Sequence, residues 1–186
     1  MKTKFIVATG ILLLPGGAAF GHRLDEYLQA TIISVEKDHV HADMRLVPGV
    51  AVSSIVLASI DTNRDGVISE AEQRTYAELV LRDLSITVDG QSTKPTLISW
   101  TFPAPEEMKE GLGVIDIEFK VELMRGGPER TIAIENHHQS AISAYLVNCL
   151  IPRDPNIRVL SQSRNETQSL YRLDYAQADG DVSALP

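Results

Sequence analysis

Residues 61–72 read Asp-Thr-Asn-Arg-Asp-Gly-Val-Ile-Ser-Glu-Ala-Glu, with oxygen-bearing side chains at alternate positions and a glutamate at the end. A hard dication of calcium's size takes about six to eight oxygens, and a loop of about twelve residues can supply them from alternate positions. Asp61, Asn63 and Asp65 provide the first three side chains, Val67 offers its backbone carbonyl, and Ser69 contributes directly or through water. Glu72, the last residue of the loop, has the reach to bind with both carboxylate oxygens. Gly66 stands where the chain must turn sharply, a conformation that a side chain resists. A plain polar turn also favours Asp, Asn and Gly. It does not require the glutamate at that distance, nor a helical pattern on each side.

Those flanks have to position the loop. Downstream, Tyr76, Ala77, Val80, Leu81 and Leu84 recur at helical spacing, leaving Glu78, Arg82 and Asp83 for a polar side. Ser69-Glu70-Ala71-Glu72 reads as a capping box at the start of that helix, so one serine and one glutamate serve helix and ion together. Upstream, Val52, Ile55, Val56 and Ile60 fit one helical face. β-Branched residues alone would favour a strand there, and the adjoining loop decides for helix. Ile68 is apolar and is expected to pack inward while its neighbours face the ion.

The rest of the chain is strand-like. Alternation is clearest in Val40, Ala42, Met44 and Leu46 and in Ile115, Ile117, Phe119, Val121 and Leu123. Leu28, Ala30 and Ile32 precede the first set across a Lys37-Asp38 turn, so residues 24–47 read as a hairpin. Further strands are expected at 85–89, 97–102, 130–136, 144–151, 157–162 and 170–175, separated by turns such as Asp89-Gly90 and Gly126-Gly127-Pro128. The fold class expected is α+β and mostly β, an antiparallel β-sandwich or open barrel with a helix–loop–helix inserted at about residues 49–84.

Lys2 and Lys4 before the apolar run Phe5–Leu14, followed by small residues, predict an export signal over residues 1–21. Cleavage after Gly21 leaves His22 first, with cleavage after Ala19 as the competitor. The expectation is an exported protein, periplasmic or extracellular, with no transmembrane segment in the mature chain. Residues 22–175 then form a single β-rich domain, followed by a polar tail over 176–186. The formal charge of −8 becomes −10 without Lys2 and Lys4, which argues against nucleic acid as a partner. Cys149 is the only cysteine, and Leu146, Val147, Leu150 and Ile151 around it predict a buried structural thiol.

Histidines offer the other metal chemistry. His39, His41 and Asp43 share one strand face, and His137 and His138 form a second pair. With His22 as a free amino terminus, either pair could complete a copper or nickel site, which is the alternative to calcium. An enzyme is not expected, since the chain has neither a serine elbow, a zinc-protease helix motif nor a phosphate-cradling glycine loop.

Asp61 to Glu72 with its flanking helices resembles the EF-hand superfamily, which implies calcium binding through the six positions named. The export signal, His22, a hairpin ending Leu46-Val47-Pro48-Gly49, the loop, and Tyr145-Leu146-Val147-Asn148 are together similar to exported bacterial EF-hand proteins. The layout also resembles soluble regions of HupE/UreJ-type membrane proteins, which implies a protein or membrane-complex partner of unknown identity. The membrane helices of such proteins are not found in this sequence, so transport is not implied. Sensor EF-hands generally come in pairs, and a solitary loop implies a structural ion, or one supporting partner binding, rather than a switch.

Overall fold

The computed structural model describes residues 25–178, so the expected export signal, His22 and the residues from 179 lie outside it. The described residues form strands β1 (Tyr27–Val35) and β2 (His39–Pro48), helices α1 (Ser53–Ile60) and α2 (Glu70–Arg82), and strands β3 (Leu84–Val88), β4 (Gln91–Thr93) and β5 (Thr96–Thr101). A short helix α3 (Pro105–Lys109) follows, then β6 (Ile115–Glu122), β7 (Glu129–Asn136), β8 (Ser143–Cys149), β9 (Ile157–Arg164) and β10 (Leu170–Gln177). The strands make two five-stranded sheets, β5-β6-β2-β1-β8 and β4-β3-β7-β10-β9. Among the described residues both sheets keep two free edges and stay open, so neither closes into a barrel. Among the described residues no helix is long and apolar enough to cross a membrane.

Burial follows the alternation of the strands, because successive side chains point to opposite faces and only one face is covered. Val40, Ala42, Met44 and Leu46 of β2 and Ile115, Ile117, Phe119 and Val121 of β6 are all buried, as their spacing requires. Tyr171, Leu173 and Tyr175 of β10 with Ile132 and Ile134 of β7 supply the second sheet's part of the same core.

On β1 the phase is the reverse of the expected one. Tyr27, Gln29, Thr31, Ile33 and Val35 face inward, while Leu28 and Ile32 are 38% and 41% exposed. A shift of one residue exchanges the faces of a strand completely. The polar Gln29 can occupy the inner face because its amide donates to His138 O at 3.0 Å and Ser143 Oγ at 2.7 Å and accepts from Asn136 Nδ2 at 2.8 Å. A second departure concerns direction. β1 pairs antiparallel with β2 but parallel with β8, Tyr27 opposite Ser143 through Ile33 opposite Cys149, so the sheets are not wholly antiparallel. β10 also continues through Gln177, two residues into the expected tail.

The two longer helices leave the sheet between β2 and β3 and return a buried face to the core. Val52, Val56 and Ile60 are buried with Tyr76, Ala77, Val80 and Leu81. Ile55, expected on the same face, is half exposed. At about 100° per residue Val52, Val56 and Ile60 span an arc of about 80°, whereas Ile55 lies about 100° from its centre.

Candidate metal centre

The segment from Asp61 to Ser69 leaves α1 at its last turn and enters α2 at its cap. Asp61 is the C-cap of α1, its N–H donating to Leu57 O at 2.8 Å. Ser69 is the N-cap of α2, with both hydrogen bonds of the expected capping box formed to Glu72. Five of the six candidate ligand residues thereby lie between the two helix ends, and the sixth, Glu72, stands in the first turn of α2. Arg64 and Gly66 take left-handed φ values of 61° and 82°. A Cβ at Gly66 would meet nothing within 4 Å, so its requirement is conformational rather than steric.

The acidic oxygens turn inward onto the backbone of their own loop. Asp61 accepts from Asp65 N at 3.2 Å and Gly66 N at 3.0 Å, Asn63 Oδ1 accepts from Asp65 N at 2.9 Å, and Asp65 Oδ1 accepts from Val67 N at 2.8 Å. Glu72 closes the ring. Its Oε1 accepts from Thr62 N at 2.9 Å and Asn63 N at 3.4 Å, while Oε2 accepts from Ser69 N at 3.1 Å and Ser69 Oγ at 2.7 Å. The twelfth position is therefore brought beside the second and third. These bonds, that from Ser69 Oγ foremost, hold the exposed Glu72 carboxyl down at about 2. Asp61, Asn63, Asp65, Ser69, Glu72 and the Val67 carbonyl present oxygen donors only, with neither nitrogen base nor thiolate, and this is the donor set of a hard divalent cation. Ile68 is partly buried against the core while residues 62–67 are exposed.

α2 ties this loop to the β core through a buried polar chain absent from the sequence expectations. Tyr76 Oη lies 2.9 Å from Tyr27 Oη of β1 and 3.0 Å from His138 Nε2, and His138 Nδ1 lies 2.8 Å from Asp83 Oδ2 just beyond α2. His138 carries further bonds on its backbone, its N–H to Asn136 Oδ1 and its carbonyl from Gln29 and Tyr145. Burial raises the Tyr27 phenol well above its ordinary value and pushes Tyr76 up to about 12. Burial also lowers His138, against the opposing pull of Asp83. The chain is thus a neutral hydrogen-bond relay ending on one carboxylate. Its members stand 49, 62 and 55 residues apart in sequence, so no local pattern marks them.

The members of each histidine pair have different partners. His138 is enclosed in that relay, whereas His137 is exposed beside Glu135 at 3.6 Å. His39 turns to Asp38 at 2.8 Å, and His41 turns to Asp43 and to Glu118, which lies 77 residues on in sequence. Cys149 is half-buried rather than enclosed, with Leu150 and Ile151 beside it 50% and 91% exposed. Burial still raises its thiol to about 11.

No protein-family model, curated protein or solved structure matches this chain. The resemblance to EF-hands therefore stands on residues 61–72 and their two flanking helices alone.

Proposed function

We propose that this protein binds one calcium ion through Asp61, Asn63, Asp65, the Val67 carbonyl, Ser69 and Glu72, and that the ion serves structure. The observation that carries this reading is the return of Glu72 to the loop it closes, Oε1 held by the Thr62 N–H near the loop's start and Oε2 by the Ser69 N–H near its end. Calcium would neutralise Asp61, Asp65 and Glu72 at close quarters and fix the angle between α1 and α2, whose apolar faces are part of the β core. The basic and apolar opening of the chain supports export, and an exported domain meets calcium at concentrations that load sites with Kd of about 10⁻⁴ to 10⁻³ M. The partner of such a domain is a protein or membrane complex reached outside the cytoplasm.

Calorimetric titration of chelator-stripped protein with calcium tests the ligand assignment. One ion per chain in that affinity range supports it, with binding lost in Glu72→Gln. Absence of binding at millimolar calcium overturns it.

A further inference from the structure

β2 and β6 carry a second cluster of metal-ligating groups on the outer face of their sheet, remote in sequence from residues 61–72. His41 and Asp43 project from the same side of β2, and Glu118 of β6 is paired in register directly opposite Asp43. His41 Nε2 lies 3.5 Å from Asp43 Oδ1 and 3.3 Å from Glu118 Oε1, and the three ligand atoms all lie within 4.8 Å of one another. Two ligands held about 2.0–2.1 Å from a tetrahedral ion stand about 3.4 Å apart, so both histidine separations already suit such an ion.

The electrostatics around the cluster favour a bound cation. Like charges directly opposite one another on neighbouring strands destabilise a sheet. The lysine and arginine nearest in register are engaged elsewhere, Arg45 with Asp116 at 3.1 Å and Lys120 with Glu122 at 2.6 Å. Among the described residues neither Asp43 nor Glu118 has a lysine or arginine partner. Glu118 is also oriented from behind, because its Oε2 accepts from Ser99 Oγ of β5 at 2.6 Å, leaving Oε1 for the cluster. Such a second bond to a ligating carboxylate fixes its direction. The cluster is open to water, with His41, Asp43 and Glu118 side chains 29%, 61% and 36% exposed, so solvent can complete the coordination.

We propose that His41, Asp43 and Glu118 bind a divalent transition metal of borderline softness, with zinc as its representative. Imidazole excludes calcium and magnesium, which take oxygen ligands, and separates this site chemically from the loop at residues 61–72. It differs from a copper or nickel site at His22 in needing no processed amino terminus, and it stands whether or not the loop binds calcium.

The test is zinc titration by calorimetry of the full exported protein in saturating calcium, with variants checked for folding by circular dichroism. One zinc site is expected whose affinity falls at least about tenfold in His41→Ala and about tenfold in Ser99→Ala, the usual loss when an orienting partner is removed. Affinity in His39→Ala and Glu72→Gln should equal that of the unaltered protein. Zinc binding that survives in His41→Ala, that is lost equally in His39→Ala or Glu72→Gln, or that is absent altogether overturns the proposal. If His41→Ala fails to fold, the histidine ring NMR signals of the unaltered protein decide. His41 should shift first on adding zinc, and an unmoved His41 contradicts the site.

Discussion

The phenol of Tyr76, on the helix that leaves the acidic loop, lies 2.9 Å from the phenol of Tyr27 on the first strand of the core. Both side chains are almost wholly buried, and His138 completes the contact from the other side of Tyr76. Removing one hydroxyl therefore strands two buried groups at once. Tyr76→Phe should lower unfolding stability by about 1–3 kcal/mol, the cost of leaving buried polar groups unpaired. Urea denaturation measures this, and a variant as stable as the unaltered protein would show that the relay contributes nothing.

Gly66 is required for its backbone conformation. Its φ of 82° lies in the left-handed region, which costs an ordinary side chain about 1–2 kcal/mol. Gly66→Ala should lose that amount in chelator, where no ion contributes, and Gly66→Asn should lose less, because asparagine tolerates this region better. Equal losses in the two variants would point to a steric cause, which the open space around Gly66 argues against.

Acid should weaken the fold through His138. Its ring is held below the ordinary histidine value of 6.5, chiefly by burial. As pH falls below 6.5 the unfolded chain takes up a proton that the folded chain refuses, so stability is complete above that pH and declines on the acid side. Glu72, held at about 2 against an ordinary 4.5, adds a second loss in the same direction between those two values. Stability measured from pH 7.5 to 5.5 should fall as pH falls, and His138→Gln should be less stable throughout but lack that slope. A slope that persists in His138→Gln would assign it to another group.

Cys149 should be a slow thiol despite its partial exposure. With its thiol raised to about 11, little thiolate is present at pH 8, and the thiolate is the reactive form. Modification by an aromatic disulfide reagent at that pH should run at least about tenfold slower in the folded protein than in urea. Equal rates would show that burial does not restrain it.

Much of this architecture was legible because neighbouring residues encode it. The phases of β2 and β6 follow from strict alternation, and the cap of α2 follows from Ser69 and Glu72 lying three residues apart. What was hidden depends on distant partners. The apolar Leu28 and Ile32 looked like the core side of β1, yet Gln29 is buried because Asn136, His138 and Ser143 answer its amide. The parallel pairing of β1 with β8 is equally nonlocal. β4 is three polar residues long, too short for periodicity to register. α3 is five residues, and only Pro105 at its start, Glu106 and Glu107 in its first turn and Lys109 at its end could have announced it. Glu118 joined His41 and Asp43 only when strand register set β6 against β2.

If calcium at residues 61–72 holds α1 and α2 to the β core, thermal unfolding with and without calcium will register it. Glu72→Gln is the informative variant, because glutamine can keep the backbone bond of the capping box while losing the charge and the paired carboxylate oxygens. With Kd of about 10⁻⁴ to 10⁻³ M, 10 mM calcium should stabilise the unaltered protein by about 1.4–2.7 kcal/mol and raise its Tm by about 3–10 °C over chelator. In Glu72→Gln the rise should vanish. No rise in the unaltered protein, or the same rise in both proteins, would contradict the account.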